Sequence, residues 1–185
     1  DAALNLFSRY SFHEIGMRDI ADEAGISPAS IYRYFSSRDD ILVDILDQEV
    51  KKGRERQWKR VDGGASFQDI ALGIVEFFWE RESTLQMVGH FLWNRDADEE
   101  AKKKFRSIQQ SYLDEFDRVL VQTGCPEENV RVLSKSFFAS LFGIIVSFRN
   151  FPEGRDVSES YASLQHMARL TAEIFSKAAT EQGAT

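Results

Sequence analysis

Proline occurs at only three positions of this 185-residue chain, Pro28, Pro126 and Pro152. Proline interrupts helices, and between these positions apolar residues recur every three or four residues, which is the period of an amphipathic helix. The pattern therefore predicts an all-α fold. After the first helix, we expect helices at residues 17–24, 28–35, 38–59, 66–80, 84–93, 97–123, 127–150 and 157–180. Residues 2–10 begin as if in mid-helix, so we expect the first helix to be truncated.

The composition is that of a globular protein, with 43% hydrophobic and 29% charged residues. No apolar run reaches the roughly 20 residues that cross a bilayer, so we expect no membrane contact. The single cysteine, Cys125, cannot form an internal disulfide, which fits the cytoplasm. The net charge of −7 disfavours DNA binding by charge alone, because phosphate affinity comes mostly from Lys and Arg. A DNA-binding function must therefore rest on a motif.

Catalytic and metal-binding patterns are missing from the sequence. His13, His90 and His166 are scattered without the spacing of metal ligands, and one cysteine excludes a cysteine-based zinc cluster. The chain has no paired nucleophile and base, no phosphate-cradling glycine loop and no dinucleotide-binding fingerprint. We therefore expect a protein that is not an enzyme, with no catalytic residues, no metal and no cofactor.

Residues 16–35 carry the local signals of two short helices joined by a tight turn. Ala21 is small enough for two helices to cross closely, and Gly25 follows where a left-handed residue ends the first helix. Ser27 can cap the second helix, and Pro28 takes its first position, where the missing N–H is not needed. The residues expected to point inward are Ile20, Ile26 and Ile31. A small residue, a glycine turn and a capped second helix are typical of a helix-turn-helix.

A further cap follows at Ser37, with acidic residues in the next turn, where the helix dipole favours them. Taken together, residues 1–46 resemble the TetR family of bacterial repressors. The resemblance rests on Gly25, on Tyr32-Arg33-Tyr34-Phe35 and on Ser37-Arg38-Asp39. It implies a three-helix DNA-binding domain of the helix-turn-helix type at residues 1–46 and a larger helical ligand-binding and dimerisation domain at residues 47–185.

The resemblance also implies roles for individual residues. The residues expected to hold DNA phosphates are Ser27, Tyr32, Tyr34 and Arg38, and those expected to face base edges are Pro28, Ala29, Ser30 and Arg33. Arg33 alone among the latter has a fork suited to guanine. Gly16 stands where the family usually has threonine, so its backbone N–H would replace a side-chain phosphate contact, and Arg18 completes the predicted set. The alternatives are that Tyr32 completes a small core with Phe35 and that Arg33 is a solvated surface residue.

The larger domain is rich in aromatic residues, more than the core of a helical bundle needs. In TetR-like proteins the corresponding helices enclose a ligand cavity, and an aromatic lining suits an apolar or aromatic ligand. The predicted lining consists of Phe78, Met87, Phe91, Tyr112, Phe116 and Phe138, with His90 as a polar contact. For each aromatic residue the alternative is an ordinary place in the core.

The last two helices carry apolar stripes too wide for packing within one chain. We therefore expect a homodimer held by residues 127–150 and 157–180, with the small Ser140 and Gly143 at its seam, bound to a palindromic operator in double-stranded DNA. A small-molecule effector would release the DNA by pushing on the long helix at 38–59. The alternative is a helical adaptor that binds only protein, which would explain the acidic charge without DNA.

Overall fold

The computed structural model describes residues 2–10, 14–61, 66–149 and 157–181. Every regular element in these ranges is an α-helix. The helices are α1 (Ala2–Arg9), α2 (Met17–Glu23), α3 (Pro28–Tyr32), α4 (Arg38–Val61), α5 (Phe67–Glu80), α6 (Glu82–Trp93), α7 (Glu99–Gln122), α8 (Glu127–Phe148) and α9 (Val157–Glu181). The predicted all-α class is confirmed.

The largest difference from the predicted elements is at α3. The sequence pattern predicts a helix at residues 28–35, but α3 ends at Tyr32 with Arg33 as its C-cap. The N–H groups of Tyr34 and Phe35 both donate to the carbonyl of Ile31, which turns the chain out of the helix. The other predicted bounds coincide with the observed helix ends or differ from them by at most two residues, which is normal where helices fray.

The described chain forms two compact units. Unit 1 consists of residues 1–52 and 81–108, and unit 2 consists of residues 53–80 and 109–185. In unit 1, α2 packs against α1 and α3, and α1 also contacts α6. In unit 2, α9 packs against α5 and α8, and α5 also contacts α8. The helices α4 and α7 run through both units. The domain division at residues 46 and 47 stays a prediction.

One helix of unit 2, α8, is long and apolar enough by composition to cross a membrane, with a mean hydropathy of 1.5. It packs against α5 and α9, and Phe137, Leu141 and Ile145 on its inner face are buried. Such packing is typical of the core helix of a bundle.

Two glycines end helices in the same way. Gly25 follows α2 with φ of +66°, and Gly124 follows α7 with φ of +81°. After α2, the N–H of Ile26 donates to the carbonyl of Ala21 at 3.0 Å, which is the long bond of a Schellman motif. After α7, Cys125 and Leu120 make the same bond at 3.1 Å. The left-handed residue after α2 that the sequence predicts is therefore confirmed.

Replacing Gly25 with alanine should lower the free energy of unfolding by about 1–2 kcal/mol, because a Cβ is strained at positive φ. No atom lies within 4 Å of the added Cβ, so the effect comes from the backbone alone. Urea unfolding measures it. Gly16→Ala is the control, since the φ of Gly16 is −108° and its added Cβ meets only Asp19 at 3.5 Å. Equal stability of the two variants would contradict this account.

Candidate functional site

The helix-turn-helix begins from a close crossing of α2 and α3. Ala21 is completely buried, as the crossing requires, and Ile20 and Ile31 are buried beside it. The prediction for Ile26 is wrong, because its side chain is 43% exposed. Ile26 takes the last position of the Schellman motif, where its N–H turns back to α2 and its side chain stays outside the helix pair.

Ser27 caps α3 as the sequence predicts. Its Oγ accepts the backbone N–H of Ser30 at 3.1 Å and lies 2.9 Å from the Ser30 hydroxyl. Beyond this cap the outer side of α3 faces solvent, with Pro28 and Ala29 exposed and Ser30 half-buried. The cap therefore holds a short helix whose outer side is open to a partner.

Two tyrosines and an arginine extend this open surface. Tyr32 is 55% and Tyr34 is 70% exposed, so Tyr32 does not complete a core, whereas Phe35 is half-buried. The guanidinium of Arg33 lies 5.3 Å from the centre of the Tyr34 ring, a cation–π distance. The Arg33 guanidinium thus lies against the ring of the next residue.

The start of α2 differs in detail from the family pattern. The N–H of Gly16 donates to the Asp19 carboxylate at 2.7 Å, so this N–H already has a partner within the chain. Arg18, in the first turn of α2, is exposed. At the start of α2, the Gly16 N–H is therefore occupied by Asp19, and the exposed Arg18 provides a positive charge.

Arg38 is more buried than a residue that only contacts phosphate would be. Its side chain is 24% exposed, and its Nη1 donates to the backbone carbonyl of Ile15 at 3.2 Å. Ser37 caps α4 as predicted, because its Oγ accepts the N–H of Asp40 at 3.1 Å. Arg38 thus joins the first turn of α4 to the segment before α2.

His90 binds Asp39 inside unit 1. Its Nε2 lies 2.9 Å from Asp39 Oδ1, and the other Asp39 oxygen accepts the N–H of Asp98 at 2.9 Å. Burial alone would raise the pKa of Asp39, but these hydrogen bonds and the charge of Arg38 hold that pKa below the ordinary value of 3.8. The sequence shows no signal for this pairing, because 51 positions separate the two residues.

The other predicted ligand residues fall into two groups. Met87 and Phe91 belong to unit 1 with His90, and Phe91 stacks on Phe105 with ring centres 5.2 Å apart. The second group, in unit 2, consists of Phe78, Tyr112, Phe116 and Phe138.

The unit 2 group belongs to one chain of ring contacts, which we call the aromatic cluster. Tyr112 contacts Phe116 and Phe138 at centroid distances of 5.3 and 5.7 Å. Phe142 links Phe138 to Phe78 at 6.0 and 5.8 Å. The sequence prediction missed Phe142, which joins Phe78 to the other rings of the cluster. Burial raises the pKa of the Tyr112 phenol.

A charged group adjoins the aromatic cluster on α7. The Glu115 carboxylate is almost fully buried and pairs with the guanidiniums of Arg54 and Arg118. Arg54 also donates to the hydroxyl of Ser111. Replacing one partner of a buried ion pair strongly lowers the stability of a protein, whereas replacing both partners with apolar groups often does not. The presence of the pair is therefore weak evidence that it serves only stability. The sequence prediction missed it because Arg54 and Glu115 are 61 positions apart.

The outer faces of α8 and α9 carry exposed apolar and small residues. On α8 they are Val132, Ser136, Ala139, Gly143 and Val146, spaced by three or four and therefore on one side of the helix. On α9, Leu170 and Ile174 are exposed. Ser140 is half-buried and donates to the Ser136 carbonyl, and a Cβ added to Gly143 would meet no atom within 4 Å.

Side chains that could ligate a metal do not cluster in the described ranges. Within them, no group of three or more His, Cys, Asp or Glu side chains is placed to hold a metal ion.

Comparison with known proteins places the helix-turn-helix in a family. Residues 1–45 match the model for bacterial regulatory proteins of the tetR family. The Fatty acid metabolism regulator protein of Bacillus subtilis (strain 168) is 26% identical over 149 residues, which cover 76% of this chain and 76% of that protein.

Two solved structures share the fold along most of the chain. FadR from Bacillus subtilis, in complex with stearoyl-CoA, has a TM-score of 0.69 at 19% identity and covers 91% of this chain and 94% of that chain. The TetR family transcriptional regulator PfmR from Thermus thermophilus has a TM-score of 0.66 at 18% identity and covers 95% of both chains. These findings confirm the resemblance, because residues 1–45 match the bacterial regulatory proteins of the tetR family and the chain shares its fold with solved structures of such regulators.

Proposed function

We propose that this chain is a ligand-responsive transcriptional repressor that binds operator DNA in the cytoplasm. The observation that carries the proposal is the exposed surface of residues 27–34, where two tyrosines and an arginine face solvent beside a buried pair of helices. Tyrosine hydroxyls and guanidinium groups suit phosphates and base edges. The matching family model covers the same residues.

The contacts divide by chemistry. Ser27, Tyr32 and Tyr34 hold phosphates, while Arg33 reads a base edge with help from the residues at the start of α3. To reach a base, the Arg33 side chain must move away from the Tyr34 ring. In the absence of DNA, the 5.3 Å contact with this ring keeps the guanidinium near the exposed surface of residues 27–34. Arg38 has two roles, because it binds the Ile15 carbonyl and carries a charge beside the DNA-reading residues.

Replacing Arg33 with alanine should reduce the binding preference for the correct base at one operator position by about 1–3 kcal/mol and change the preference at other positions little. The reason is that a bidentate arginine–guanine contact is lost. Arg38→Ala should lower the affinity for all DNA sequences alike, and it should reduce the slope of log affinity against log salt concentration by about one. Operators selected from a random DNA library, then titrated by fluorescence anisotropy with single base changes and at several salt concentrations, measure both effects.

The two variants control for each other. Arg38→Ala also removes the hydrogen bond to Ile15, so its thermal unfolding is recorded and titrations are made where both variants are folded. Uniform loss of affinity in both variants would show that Arg33 does not read a base. If the wild type selects no DNA at all, the protein-binding adaptor becomes the better hypothesis.

The operator is palindromic because the protein acts as a dimer. The exposed faces of α8 and α9 give each chain an apolar surface, and small residues such as Gly143 allow close approach of a second helix. A two-fold dimer presents two copies of α3, the recognition helix, and two half-sites related by the same symmetry fit them.

The effector that we propose is a long-chain fatty acyl compound. The Bacillus subtilis relative is named for fatty acid metabolism, and the FadR structure holds stearoyl-CoA. In unit 2 of this chain, the aromatic cluster offers an apolar surface to an acyl chain. The Arg54 guanidinium near Tyr112 would meet an anionic part of the ligand.

A further inference from the structure

The first turn of α4 is held on two sides by adjacent residues of unit 1. Arg38 donates to the carbonyl of Ile15, which lies just before the first helix of the helix-turn-helix. The next residue, Asp39, binds α6 through His90 and the start of α7 through the Asp98 N–H. The DNA-reading helices and α6 thus meet at one turn of one helix.

The Asp39 contacts are buried and fully directional. The His90 side chain is only 2% exposed, and each oxygen of the Asp39 carboxylate has its own partner at 2.9 Å. Asp98 in turn caps α7, since its Oδ1 accepts the Ala101 N–H at 2.9 Å. Two bonds from one carboxylate to two elements fix a direction as well as a distance, which an apolar contact does not do.

Unit 1, which contains the helix-turn-helix, also contains the helices that Asp39 contacts. Unit 1 groups residues 1–52 with α6 and the first part of α7, although 28 intervening residues belong to unit 2. The DNA-reading helices and the helix that bears His90 therefore form one body, and the Asp39–His90 pair is a buried polar bond within it.

We propose that Asp39 and His90 are positioning residues for DNA recognition, which fix the direction of the helix-turn-helix relative to α6 and α7 and so set the half-site spacing that the dimer accepts. The proposal rests on the proposed function as a dimeric DNA-binding protein. Neither residue touches DNA in this account. Loss of the pair leaves the base-reading residues intact and changes only how strictly the two recognition helices are held.

The test uses an operator selected with the wild-type protein and duplexes in which its half-site spacing is changed by one or two base pairs. The wild type should lose at least about tenfold in affinity with each changed spacing. For Asp39→Asn and for His90→Phe, the affinities for duplexes with the original and the changed spacings should lie within about threefold of each other. Asp40→Asn is the matched control, because it removes the ion pair with Lys104 from the same turn and should keep the wild-type profile.

A conservative variant completes the test. His90→Gln retains an N–H donor and should restore the wild-type spacing profile. Equal loss of affinity at every spacing in Asp39→Asn and His90→Phe, or failure of both variants to fold, would assign the pair to stability and overturn the proposal. If the wild type binds no selected DNA, the proposed function fails instead.

Discussion

Replacing Ile174 with glutamate should convert a dimer into a monomer at micromolar concentration. Ile174 on α9 is 66% exposed, more than any other large aliphatic side chain described on α8 or α9. Burying one isoleucine contributes about 1.5–3 kcal/mol, and two-fold symmetry counts it twice, so the loss exceeds about 100-fold in dimer affinity. A glutamate at the seam would add the cost of a buried charge. Sedimentation velocity measures the change directly.

The control for this variant is Val121→Glu. Val121 is 60% exposed at the end of α7 and does not lie on the α8 or α9 face, so this variant should remain dimeric. Operator affinity should fall with the Ile174 variant and stay unchanged with the control. A wild-type chain that sediments as a monomer, or an Ile174→Glu chain that sediments as a dimer, would disprove the proposed interface.

A fatty acyl effector and operator DNA should weaken each other's binding by the same factor, which we expect to be about 100-fold. Such a factor corresponds to about 2.7 kcal/mol of preference for the DNA-free form, and burial of an acyl chain of several methylenes supplies more than this. The measurement is a titration of stearoyl-CoA with and without saturating operator. Equal affinity in the two titrations would mean that the ligand does not regulate DNA binding.

Two variants locate the ligand within the chain. Phe138→Ala removes a ring from the aromatic cluster, and we expect it to weaken stearoyl-CoA binding by about tenfold or more while DNA affinity is kept. Phe91→Ala removes a ring that stacks on Phe105 in unit 1 and should leave ligand affinity unchanged. The reverse result would place the ligand among the predicted residues of unit 1.

Short-range features of the fold could be predicted because their hydrogen bonds join residues close in sequence. The Gly25 turn, the Ser27 cap and the Ser37 cap each depend on backbone groups at most five positions away. Local patterns therefore predicted the turn and the helix caps of the helix-turn-helix. Even there, the side-chain direction of Ile26 was predicted wrongly, since it depends on how a turn meets the rest of the chain.

Long-range polar contacts could not be predicted in the same way. The sequence marks Asp39 as an acidic residue in the first turn of a helix, a role that the helix dipole explains by itself. Nothing near it indicates His90 as its partner, because His90 lies on α6, 51 positions further along the chain. The Arg54–Glu115 pair has the same character, and aromatic composition alone could not separate Phe138 in unit 2 from Phe91 in unit 1.

The length of α4 has a mechanical consequence. With 24 residues and a rise of about 1.5 Å per residue, the helix is roughly 36 Å long. A helix of this length acts as a lever, so a tilt of about 5° about one end moves the other by about 3 Å. One base-pair step of DNA is about 3.4 Å, so the displacement is nearly a full step. We therefore expect an effector that tilts α4 by a few degrees to move α3 out of register with its half-site.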